Sequence, residues 1–201
     1  MRSKLPWILM VVAPGFILGA PSAEAQISPL TYELRLGASV PVGPMADADG
    51  SWAGPLGEDY SFGMDFAYAF QGFVAAYAGF SQHRFACPAS GCGRRTDLTA
   101  TGFDGGFRWI LGSGRVIPLI RTGAVTYRME ATAPDGAGGS RRVTSRRGVG
   151  AEGGLGLSIR VSRRFMISPG VRYLWMDVRF SELGVVPVES VVADVGFTLA
   201  F

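Results

Sequence analysis

The chain has 201 residues, a formal net charge of +3, 48% hydrophobic residues and 29 glycines. So near-neutral a balance excludes a generic nucleic-acid binder, and no nucleic-acid motif occurs. Mean hydropathy is positive, which is greasy for a soluble secreted domain, yet beyond the N-terminal segment no apolar run is long enough for a spanning helix.

Residues 1–25 have the parts of a signal peptide. Arg2 and Lys4 give the positive start, an apolar run broken by Pro14 comes next, and Ala23-Glu24-Ala25 is a small-x-small site. Cleavage is expected between Ala25 and Gln26. The apolar run falls short of the ~20 residues an anchor helix needs. The residue directly after the site is Gln26 and not Cys, which argues against a lipoprotein anchor. Residues 26–201 are then expected to form one domain.

Over most of residues 31–201, apolar and polar side chains alternate with a period of two, the signature of strands with two unlike faces. The first predicted strand, 31–40, sets Tyr32, Leu34, Leu36, Ala38 and Val40 against Glu33, Arg35, Gly37 and Ser39. A polar stretch leads to the second, 60–70, the cleanest of all. There Phe62, Met64, Phe66, Tyr68 and Phe70 oppose Ser61, Gly63, Asp65, Ala67 and Ala69. After a tight turn at Gln71-Gly72 comes the third, 73–85, whose facing stays open because both parities carry apolar residues.

Cys87 and Cys92 bracket Pro-Ala-Ser-Gly. In an exported chain they are expected to form a disulfide pinning a loop tip, worth ~2 kcal/mol on the loop-entropy model. A metal site is the alternative, with His83 as the only nearby partner and so a poor ligand set.

The fourth predicted strand, 98–111, sets Phe103, Phe107, Trp109 and Leu111 against Asp104, Gly106 and Arg108. Gly112-Ser113-Gly114 makes a short turn. In the fifth, 116–129, the facing is ambiguous, with Arg121 and Gly123 read as inward. The Gly-rich stretch 131–147 reads as a loop, made basic by Arg141, Arg142, Arg146 and Arg147. The sixth strand, 149–159, places Glu152 among glycines, and the seventh, 165–178, places Arg172 opposite Val171, Tyr173 and Trp175. The last ends at Phe201, with Val191, Ala193, Val195, Phe197 and Leu199 on the greasy face and Asp194 on the other.

Eight strands of ~10 residues joined by alternately long and short connections suit a tilted span of the hydrocarbon layer. Both termini then lie on the side of the short turns. The greasy parity would face lipid. The other parity carries Glu33, Arg35, Asp65, Asp104, Arg108, Arg121, Glu152, Arg172 and Asp194. Their signs nearly balance, which predicts a salt-bridged interior, because an unpaired buried charge is costly. The rest of that face reads as Gly, Ala and Ser, predicting a lumen without large apolar groups. The competing reading of the same charges is a narrow ion path, although eight strands leave room only for side chains.

The chain resembles the small eight-stranded outer-membrane β-barrels, of the OmpA-type and opacity-like kind. The resemblance is carried by Leu36-Gly37-Ala38-Ser39-Val40-Pro41-Val42-Gly43, by Tyr77-Ala78-Gly79-Phe80, by 148–156 and by Val195-Gly196-Phe197-Thr198-Leu199-Ala200-Phe201. It implies an all-β, eight-stranded antiparallel transmembrane up-and-down barrel in the bacterial outer membrane. It also implies a monomer without cofactor or metal, whose C-terminal strand ending at Phe201 meets the barrel assembly machinery. Members range over structural anchors, adhesins and small channels, so the fold leaves the function open.

Some such barrels act on lipid A. His83 is the only histidine, read here as a residue of the outer rim. Arg84 and Phe85 come after it, so the His-x-Ser arrangement of lipid A deacylases is not met. The reading is therefore a structural or surface-interaction barrel without catalysis. The alternatives are a channel, a lipid A-modifying enzyme using His83, and a soluble lipocalin-like barrel with the aromatic stripe turned inward. Expected lipid partners are outer-membrane lipids generally and lipopolysaccharide phosphates at the basic loop. Arg160, Arg163 and Arg164 would face headgroups on the other rim, and Tyr32, Phe70, Trp109, Tyr173 and Trp175 would sit in the interfacial girdles. Lys4 is the only lysine, and a genomic preference for Arg explains this as well as phosphate binding does.

Overall fold

The computed structural model describes residues 29–43, 57–86, 98–134, 140–181 and 184–201. Cys87, Cys92, Ala25 and Gln26 lie outside the described residues. The strands are β1 (Leu30–Pro41), β2 (Asp59–Gln71), β3 (Val74–Phe85), β4 (Leu98–Ile110), β5 (Val116–Pro134), β6 (Ser140–Thr144), β7 (Gly148–Arg160), β8 (Phe165–Phe180) and β9 (Gly184–Ala200). Each strand of the wall pairs antiparallel with its neighbour, and β9 pairs with β1 from Thr31↔Ala200 to Pro41↔Ser190, which closes the sheet.

Nine elements make eight staves. β6 pairs only with β5, through Glu130↔Thr144 to Pro134↔Ser140. β7 takes over the same edge of β5 at Tyr127↔Gly148, one residue out of register with β6. The offset is a β-bulge at Ser145. Its N–H donates to the Met129 carbonyl at 2.8 Å, and its Oγ accepts the Met129 N–H at 2.9 Å. β6 and β7 are thus one stave with a bend in it.

Most strand starts and ends fall close to the sequence expectation. Two places differ. The stretch 131–147, expected to be loop, contains the end of β5 and all of β6. β9 begins at Gly184, well before the alternation ending at Phe201 becomes clean. In both places glycine, proline and charge hide a period that hydrogen bonds to a long partner strand sustain.

The greasy parity faces outward. Phe66 is 57% exposed and its neighbour Asp65 only 1%. Phe103, Phe107, Leu155, Val171 and Phe197 are likewise exposed on the outer wall. The facing of β3, open in the sequence, is settled: Tyr77, Ser81, His83 and Phe85 are buried in the lumen while Ala78 lies outside. In β5, Arg121, Val125, Tyr127 and Met129 point inward.

One end of the barrel carries the short turns and both strand termini; the other carries the long connections. At the turn end, Gly112 and Gly114 have φ of 126° and 125°, in the region where side chains strain the backbone, so the β4–β5 turn needs both glycines.

Candidate functional site: the layered interior

The nine inward charges come together. All are at most 8% exposed, five carboxylates and four guanidiniums in one belt across the lumen. Alternation along each strand explains the placement: every one sits on the parity opposite the exposed greasy face.

Arg121 on β5 is the hub. Its Nη1 lies 3.1 Å from Asp65 Oδ2, its Nη2 2.7 Å from Asp104 Oδ2 and its Nε 2.7 Å from Glu152 Oε1. Arg35 on β1 reaches Asp65 and Asp104, each at 3.0 Å. Arg172 on β8 bridges Glu152 at 3.0 Å and Asp194 at 2.7 Å. Arg108 on β4 pairs with both Glu33 and Asp65. Tyr77 on β3 completes the ring. Its hydroxyl donates to Glu152, and its face lies 3.6 Å from the Arg121 guanidinium carbon. Gly123 stands where any Cβ would collide with the Tyr77 hydroxyl, so this inward glycine is room for a neighbour's ring. Every one of the eight staves contributes a member to this network.

Towards the loop end comes a thin polar layer. Ser81 Oγ donates to Asp104 at 3.3 Å, and His83 Nδ1 lies 3.0 Å from Ser61 Oγ. His83 Nε2 lies 3.4 Å from the Tyr127 hydroxyl. This corrects the expectation of a rim histidine. His83 is 1% exposed and inside the barrel, because it shares parity with Tyr77 and Ser81. A Ser–His contact is a nucleophile–base geometry. Here, however, Tyr127 stands where an orienting carboxylate would.

Around and beyond the histidine the lumen is largely apolar, with Ser39, Ser145 and Ser190 as buried polar exceptions. Phe85, Leu98, Val125, Tyr127, Met129, Leu174, Met176, Val178, Phe180, Val186, Val188 and Val192 form one buried cluster, with Ala131 and Val143 packed against it. The expectation of a lumen without large apolar groups is therefore wrong for the loop half. The signal was present in β8, where Tyr173, Leu174, Trp175 and Met176 run without alternation. Such a run means both faces are greasy, one on the exposed outer wall and one against a core.

The turn half is looser. A cavity of about 50 Å³ opens there among Ala67, Ala69, Ala75, Ile117 and Met166, with Arg108 at its inner end. A second, also about 50 Å³, lies beside Arg35, Arg121 and Arg172 along the glycines of β7. Each has room for a water or two. Neither Ser61 nor His83 lines either cavity. Among the described residues no group of His, Cys, Asp and Glu is arranged to hold a metal.

No family model matches the chain, and no curated protein does either. Solved structures do match. Neisserial surface protein A aligns at 15% identity and a TM-score of 0.59, over 87% of this chain and 98% of its own. Outer membrane protein OprG from Pseudomonas aeruginosa aligns at 14% identity and a TM-score of 0.56, over 87% and 98%. At such identities the likeness establishes the fold: a small, closed, eight-stranded antiparallel barrel of the kind found in bacterial outer membranes.

Proposed function

We propose that this small barrel is an integral outer-membrane protein with a closed lumen, acting as a structural or surface-interaction protein through its long loops. The observation that carries the reading is the stacking of two unlike barriers. The belt engages every inward guanidinium in ion pairs, and the cluster from Phe85 to Val192 fills the lumen above it. An ion crossing the barrel would have to break the pairs and then shed its water in an apolar layer. The exposed aromatic wall supports lipid contact and argues against the lipocalin-like alternative, which would put Phe66 inside. The long-loop end is the extracellular one in this reading, and the strand ending at Phe201 is the segment offered to the assembly machinery.

Purified protein in a planar bilayer tests the closure. No steady unitary conductance is expected, and a reproducible single-channel step would defeat the reading in favour of a channel. The enzymatic alternative requires substrate at His83, which is sealed between belt and plug. Labelled lipid A incubated with wild type and His83→Ala should show no His83-dependent turnover. Export, processing between Ala25 and Gln26 and a Cys87–Cys92 disulfide belong to the same proposal. The intact mass of protein taken from outer membranes, before and after reduction and alkylation, checks both covalent features.

A further inference from the structure

The outer wall carries arginines of a different kind. Arg128 on β5, Arg147 at the entry to β7 and Arg179 on β8 are all exposed. The strand register puts them in one row. Tyr127 pairs with Gly148, which sets Arg128 beside Arg147. Val149 pairs with Asp177, and the same register continued past the end of β7 sets Arg147 beside Arg179. The Arg146 N–H, donating to the Arg179 carbonyl at 2.8 Å, holds the segment against β8 there. At ~4.8 Å between strands, the three backbone positions span about 10 Å.

The height of the row matters. Arg128 stands near the loop end of β5, and Val116 starts that strand at the turn end. At the rise and tilt of a barrel strand their separation is about 30 Å, the thickness of the hydrocarbon layer. On the membrane side of the row the exposed wall carries Phe103, Val149 and Trp175, with the carboxylate of Asp177 among them at the height of Val149. The Arg147 guanidinium carbon lies 6.0 Å from the Phe103 ring centroid, so this side chain reaches across β5 along the membrane boundary.

Two carboxylates share the region. Glu130 pairs with Arg142 at 3.6 Å, and Asp177 lies on the outer face of β8 two residues to the membrane side of Arg179. Among the described residues neither Arg128, Arg147 nor Arg179 has a carboxylate within ion-pair distance. Each inward arginine has a carboxylate partner; among the described residues these three have none. An unpaired guanidinium fork at the edge of hydrocarbon matches a phosphate bidentately, while acyl chains of the same molecule would lie on Phe103, Val149 and Trp175.

We propose that Arg128, Arg147 and Arg179 form a binding site for the phosphates of a lipid A-type glycolipid in the outer leaflet. Three forks over this width exceed what one phosphate engages, which favours a headgroup with two phosphates over a glycerophospholipid with one. The proposal rests on the outer-membrane reading and on the long-loop end being outermost.

Folded protein in detergent micelles, titrated with bis-phosphorylated lipid A, dephosphorylated lipid A or phosphatidylglycerol and read by native mass spectrometry, tests it. Wild type should prefer the bis-phosphorylated lipid, with binding that weakens as salt rises. The R128Q/R147Q/R179Q protein should bind it about tenfold less tightly and lose the preference. A control, R115Q/R160Q/R163Q, at the turn end should leave that affinity unchanged. Undiminished binding by the first triple variant, an equal loss in the control, or equal binding of phosphatidylglycerol by wild type would overturn the proposal. Heat-dependent gel mobility reports folding. If the triple variant does not fold, Arg147→Gln and Arg179→Gln singly should each give a smaller loss, and no loss in either would be equally fatal. Wild-type protein that leaves outer-membrane fractions on carbonate washing would instead defeat the outer-membrane reading, whatever the micelle titration gives.

Discussion

The two halves of the lumen occupy the same parity of the same strands, yet they are held by different physics. The belt is directional. Arg121 reaches carboxylates on β2, β4 and β7 through three different nitrogens, so a strand shifted by one residue would lose its place in the set. The plug from Phe85 to Val192 is non-directional and gains from burial and close packing. A buried ion network is weak support for stability in itself, because desolvation offsets much of the attraction. Register and closure therefore belong to the belt, and the bulk of the lumen's stabilisation to the plug.

Breaking a member of each half separates these roles. The largest effect is expected from Arg121→Ala, which takes one partner each from Asp65, Asp104 and Glu152, leaves the buried belt one positive charge short and should cost about 3–5 kcal/mol in urea unfolding from bilayers. Next is Met129→Ala, at about 2–4 kcal/mol, since the site is enclosed and cannot collapse freely. The double variant should be nearly additive, within ~0.5 kcal/mol, because the two side chains share no partner. A strong coupling would mean that belt and plug are one cooperative unit. On the lipid side Phe66→Arg should cost ~2–4 kcal/mol by placing charge in hydrocarbon, whereas Phe66→Leu should be nearly silent in the same assay. Among the interior variants the smallest effect is expected from Tyr77→Phe, about 1–2 kcal/mol, since it removes one donor to Glu152 and keeps the ring against Arg121.

How much of the barrel was legible in the chain depended on contrast between faces. β2 and the end of β9 could be read directly, because aromatics on one parity oppose Asp65 or Asp194 on the other. The belt came from the same rule: a charge off the lipid parity has nowhere to go but inward. β3 resisted because Ala and Gly populate both of its faces, and only Tyr77 and His83 carry its inward identity. The plug resisted because alternation disappears where both faces are apolar, as in Leu174 and Trp175. Which carboxylate meets which guanidinium was not legible at all, since Arg35 and Asp104 join staves that are not neighbours.

Pairing across the barrel bears on how the molecule is made. Asp194 arrives with the final strand, yet it completes the partners of Arg172 and stands within 4.0 Å of Arg35 on the first. A sheet lacking its last strand would leave the belt one carboxylate short and open to its surroundings along the unclosed edge. In the outer-membrane reading proposed above, the nascent concave surface is expected to stay wet until the edges meet, so that membrane entry and ring closure go together rather than hairpin by hairpin.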